Sequence, residues 1–265
     1  MVLKPEKITK YLLIALMLVF FSCQSDKKDK KQSGMTDTAE QKISEDSTDL
    51  ATHKVTQIFY NIPSPIEMSR MTQNARAPYN PELLNPVENI DKYNSNAALA
   101  MNLGIYGADL SYTRLYDQIQ ESLNYLAAIR ELSDQLGIPQ EEGSFAVQRI
   151  EENINNRDSL LQIITDTYAN ADMYLKENAR GGTASLIILG GWIEAMHLAL
   201  NIYKEYPTEE IKDRIAEQKF SLENLINVVK VYKNEIKELN SLLPELKKLK
   251  QVFDQVEINL EKGAV

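Results

Sequence analysis

Residues 222–246 read LENLINVVKVYKNEIKELNSLLPEL, and Leu222, Leu225, Val229, Tyr232, Ile236, Leu239, Leu243 and Leu246 recur in it at steps of three and four. A repeat of about 3.5 residues sets all of them on one stripe of a helix, the seam of a coiled-coil-like pair. Ser241 and Pro244 interrupt the run, and a proline in the first turn after a Ser cap predicts a fresh helix there. Leu249, Phe253, Val256 and Leu260 then continue with the register shifted by one place. Two antiparallel helices joined at a sharp break fit this better than one rod. The hairpin is expected over 207–265, with Thr208 capping its first arm.

Upstream the same period persists. Ser95 opens a helix over 96–106, and Gly107 predicts a bend. Asp109 is expected to cap a second helix reaching Leu136, stopped by Gly137 with Pro139 beyond. Its stripe is Leu115, Ile119, Leu123, Leu126, Ile129 and Leu136. Ser144 begins a third helix whose apolar stripe is interrupted by Arg157 and which ends before Gly181-Gly182. Thr183 begins a fourth, reaching Lys204 and closed by Pro207. Before all of these, Pro63, Pro65, Pro78, Pro81 and Pro86 forbid a long helix between 52 and 94. That segment leaves room only for short helices over 65–75 and 86–93. It carries Ile58, Phe59, Tyr60 and Ile62, so it reads as a strap packed across the main body.

Ten Gly and nine Pro in 265 residues leave long stretches free to be helical, and no run of alternating β-branched residues argues for a sheet. The fold class is therefore all-α: a five- or six-helix bundle with a C-terminal coiled-coil-like hairpin. The organisation expected is a leader over 1–22, a polar tether over 23–52, the strap over 53–94, the bundle over 95–206 and the hairpin over 207–265.

The leader has its own signature. Lys4, Lys7 and Lys10 precede an unbroken apolar run from Tyr11 to Phe21, and Ser22-Cys23 closes it. The run is too short to span a bilayer and has the layout of an export signal. Cys23 is the one cysteine of the chain, so no intramolecular disulfide can form. A small residue directly before a lone cysteine resembles the lipobox of bacterial lipoproteins. That resemblance implies removal of the signal, lipidation of Cys23 with palmitate-type acyl chains, and a membrane as partner. Gln24 following the cysteine does not suggest retention at the inner membrane, so the resemblance implies a cell-envelope location at the outer membrane. Lys4, Glu6, Lys7 and Lys10 leave with the signal, so the remaining side chains carry −11 rather than −9. An acidic chain of this kind lacks the electrostatic footprint of a nucleic-acid binder.

Few constellations carry chemistry. Glu194 and His197 lie three apart, the unit from which di-iron bundles are built. The other histidine, His53, has no Glu at the required offset, which excludes a di-iron centre. One zinc on Glu194, His197 and a third carboxylate is the weak metal reading. Gly190, Glu194, His197 and Asn201 step by four, three and four, and this polar line is expected to be the face that a mostly buried helix shows to water. Tyr106, Tyr112, Arg114 and Tyr116, with Arg157 from the third helix, form the candidate groove for a ligand or partner. The bland reading of the same residues is a tight helix bend with an Arg114–Asp117 surface pair. Residues 189–207 faintly resemble half of a tetratricopeptide repeat, but further copies at about 34-residue spacing are missing. No nucleophile elbow, HExxH or glycine-rich phosphate loop occurs. No cofactor is implied. The leading expectation is a lipid-anchored helical binding or scaffolding module with a protein partner in the cell envelope and no catalysis. An envelope hydrolase or metal-dependent enzyme is the alternative, and a tetratricopeptide-like adaptor the next.

Overall fold

The computed structural model describes residues 74–138 and 177–258, with isolated positions between 149 and 173. Cys23, Arg157, the leader, the tether and the first part of the strap lie outside the described residues. So does most of the expected third helix; of its described positions Glu152, Gln162 and Asp166 are helical, whereas Asn153 and Asn156 are not.

The described residues form an all-α bundle without strands. Its helices are α1 (Asn96–Leu115), α2 (Ile119–Gln135), α3 (Gly181–Glu205), α4 (Glu209–Tyr232) and α5 (Lys237–Phe253), preceded by 3-10 turns at Pro81–Leu83 and Val87–Lys92. The anticipated caps are present: Ser95 Oγ accepts from Ala98 N at 3.1 Å, and Thr208 Oγ1 accepts from Ile211 N at 3.2 Å. Each satisfies one of the amide donors that a helix start leaves without a partner.

Gly107 does not bend the chain. Helix α1 runs straight through it, and Asp109 lies inside the helix rather than capping the next one. The break falls at Tyr116-Asp117, where Asp117 takes φ 55°. A short polar side chain tolerates that left-handed backbone better than most.

Helices α1 and α3 run side by side in the same direction: Met101 packs against Gly190, and further along both helices Asp109 meets Glu194. The approach is close because each helix offers a glycine to the other's backbone. A Cβ on Gly104 would lie 1.9 Å from the Ile187 carbonyl oxygen, and one on Gly190 would lie 2.0 Å from that of Met101. Helix α3 is long and apolar enough to cross a membrane by length and composition, yet 78% of its most apolar window is buried in the bundle. Helix α2 packs on the far side of α1, α4 on α3, and α5 on α4.

The C-terminal hairpin is present with its break displaced. Helix α4 ends at Tyr232, Lys233–Glu235 turn, and α5 starts at Lys237, so Pro244 lies within α5 instead of opening it. Lys219 Nζ donates to the Val256 carbonyl at 3.2 Å, which fixes the two arms as antiparallel. Leu222, Leu225, Val229, Tyr232, Leu239, Leu243 and Leu246 are all buried, as their period requires.

Candidate functional site

The strap lies over α1, with Pro81–Leu83 against α3 and Val87–Lys92 against α2. Asn85, between the two turns, is the hub of its attachment. Its backbone N donates to Asp109 Oδ2 at 3.3 Å, and its carbonyl accepts from Tyr125 Oη at 3.0 Å. Its Nδ2 donates to Tyr93 Oη at 3.0 Å and to Asn102 Oδ1 at 3.2 Å, while Oδ1 accepts from Asn89 Nδ2 at 2.9 Å. Every polar atom of one residue is thus used.

Beneath Asn85 is a carboxyl pair. Asp109 from α1 is 0% exposed and Glu194 from α3 is 2% exposed, and the two lie close enough that each acts on the ionisation of the other. Asp109 Oδ1 and Glu194 Oε1 find no donor among the described residues. Two ionised carboxylates offer only acceptors, so the contact requires a proton. Burial raises Glu194 to about 8. Asp109 is raised well above the carboxylate range by burial and then by the charge of Glu194, with the Asn85 amide opposing. The pair therefore keeps a proton at neutral pH.

The polar line of α3 is a solvent face only in part: Gly190 and Glu194 are buried against α1, whereas His197, near the backbone of Leu83 in the strap, and Asn201 are half-buried. The apolar residues on both sides of the line are buried as expected. The line itself is covered in part because α1 and the strap occupy the remaining side. Burial lowers the pKa of His197, which favours the neutral ring. No group of three or more His, Cys, Asp or Glu side chains converges among the described residues.

Of the expected groove, Tyr106, Tyr112 and Arg114 lie inside the protein, and Arg157 is outside the described residues. Tyr106 is 0%, Tyr112 1% and Arg114 2% exposed, while Tyr116 is half-buried. Tyr79 of the strap packs over Tyr112 and Tyr116, each at 5.5 Å between ring centroids, and its hydroxyl donates to Glu121. Tyr112 Oη accepts from Asn80 N at 3.2 Å, and Tyr106 Oη donates to the Pro86 carbonyl at 3.0 Å. The Arg114–Asp117 pair is present at 3.8 Å, with the arginine buried and only the aspartate exposed. These side chains receive the strap.

Asn85 carried no sequence signal, being one of several asparagines in an irregular segment. The meeting of Asp109 with Glu194 had a partial one: an acid in the middle of the most apolar helix needs a partner. Compared with known proteins, the chain matches no family model, no curated protein and no solved structure.

Proposed function

We propose that the chain is a lipid-anchored binding module of the cell envelope, tied to the outer membrane through acyl chains on Cys23 and presenting a rigid helical body to a protein partner. The observation that supports it is the leader: a basic start, an apolar run ending at Phe21, and the chain's sole cysteine after Ser22. Each buried methylene of an acyl chain contributes about 0.8 kcal/mol, so two or three chains hold firmly. The bundle fits this role because the buried polar groups of the Asn85 site serve to fasten the strap. Binding then belongs to the outer helix faces, among which Phe220 of α4 is 48% exposed.

Metabolic labelling with palmitate followed by fractionation tests the anchor. Wild type is expected to take up label and sediment with membranes, and Cys23→Ser to lose both properties. A cytosolic, unlabelled wild type that retains Met1 defeats the proposal. A photo-crosslinker placed at Phe220 in intact cells then captures the partner.

A further inference from the structure

We infer that the strap is a proton-controlled latch: residues 77–94 stay docked while Asp109 and Glu194 share a proton, and release from the bundle as the pair ionises. The inference rests on the fold alone and holds whether or not Cys23 is acylated.

Three observations converge on it. The paired carboxyls come from two different helices, and the strap forms their lid, with the Asn85 amide on Asp109 Oδ2 at 3.3 Å. The oxygens Asp109 Oδ1 and Glu194 Oε1 have no donor among the described residues except the pair's own proton. The titratable groups facing the pair are Tyr93 and Tyr79 from the strap, Tyr106 from α1, Tyr125 from α2, and His197 one turn along α3. The phenols are held neutral by burial, and His197 is disfavoured as a cation. None of these groups offsets a second carboxylate. Ionisation of the pair thus places uncompensated negative charge in the interior, a cost that ends only when water reaches it.

Water reaches the pair most readily where the fold is fastened least. The α1–α3 contact is set by glycines packed on carbonyls, whereas the strap combines hydrogen bonds with three buried apolar residues, Ala77, Leu84 and Tyr93, and with Tyr79, Leu83, Val87 and Ile90 only half-buried against the core. A segment with few buried contacts opens before the core does. In the open state Glu194 returns to its ordinary value of 4.5, against about 8 when docked, and Asp109 likewise falls from its raised docked value. Opening therefore releases at least one proton, and its equilibrium constant rises by about tenfold per pH unit for each proton released.

Hydrogen exchange on the full-length chain, corrected for the intrinsic effect of pH, measures this opening. The peptide spanning 77–94 is expected to lose protection by at least about tenfold per pH unit as pH rises from 5 to 8. This exchange should be nearly insensitive to low denaturant, unlike that of α4 and α5. Glu194→Gln and Asp109→Asn each remove one of the two buried ionisable groups and should each lessen the pH slope, and the double variant should leave the strap protected and flat with pH. A strap whose protection ignores pH overturns the latch. So does one that exchanges only with denaturant-sensitive global unfolding, or one that keeps its wild-type pH slope in both single variants.

Discussion

Gly190 of α3 sits against the Met101 carbonyl of α1 so closely that an added Cβ would lie 2.0 Å from the oxygen. Gly104 returns the contact onto Ile187, where the distance would be 1.9 Å. Backbone on both sides leaves no side chain able to rotate away, so accommodation means parting the helices. Gly190→Ala and Gly104→Ala are each expected to destabilise by about 3 kcal/mol, the upper range for an overfilled core. Gly191→Ala, with its nearest neighbour at 3.4 Å, should be milder. Denaturant titration of the three variants checks the order, and equal effects would refute the close crossing.

The buried carboxyl pair gives stability a direction with pH. Glu194 binds its proton more tightly folded than unfolded, so its contribution is complete below about pH 4.5 and fades as pH rises through about 8. Glu194→Gln keeps the shape and removes the ionisation. At pH 9 it is expected to be more stable than wild type by on the order of 2–4 kcal/mol, with the gap closing toward pH 5. Denaturation curves at the two pH values decide this. A variant that is less stable at both leaves the pair without its assigned proton.

Much of this fold was legible, and the misreadings share a cause. Hydrophobic period reports which side of a chain is buried and says nothing of where the chain reverses. The seam from Leu222 to Leu246 keeps its rhythm across the turn at Lys233–Glu235 because Ile236, an extended residue, still packs inward, close to Gly182 of α3. Gly107 was read as a bend because glycine is flexible, yet flexibility permits a turn without causing one. The true break fell on Asp117, where no glycine stood. Glu194 was assigned to solvent because a lone acid on a helix has no visible partner in one dimension. Its partner, Asp109, lies 85 residues away, and only the folded α1–α3 contact reveals it.

Asn85→Ala removes the side-chain bonds to Tyr93, Asn102 and Asn89 while leaving the two backbone bonds of the hub. Asn102 Oδ1 loses a donor at a site where its residue is 2% exposed. The strap is expected to lose about 2–3 kcal/mol of local stability, given the cost of buried groups left unmade. Limited proteolysis should cut near the strap earlier, while the α4–α5 hairpin stays resistant. Equal sensitivity of both regions would mean that Asn85 supports the whole bundle and not the strap.

The indole of Trp192 donates to Gln218 Oε1 at 3.1 Å, joining α3 to α4 in the interior. Trp192 is the one tryptophan of the chain, so its emission reports this contact directly. Gln218→Leu leaves the indole N–H buried without its acceptor, at a cost of about 1–3 kcal/mol. Emission of the folded variant should shift to the blue as the polar neighbour is lost. Unchanged emission and stability together would show that the bond is not formed in solution.

Pro244 lies in the interior of α5, eighth in a helix that starts at Lys237. It cannot donate to the Asn240 carbonyl, and its ring presses on that carbonyl, a defect of about 3 kcal/mol in an unconstrained helix. Part of this is returned because proline also stiffens the unfolded chain. Pro244→Ala, at an exposed position, is therefore expected to stabilise the protein by about 1–2 kcal/mol. Were the helix to begin at Ser241 instead, the residue would stand in a first turn, where proline is welcome, and the exchange would bring no gain. A denaturant midpoint that rises on substitution thus places the hairpin turn before Lys237, and one that stays or falls moves it to Ser241.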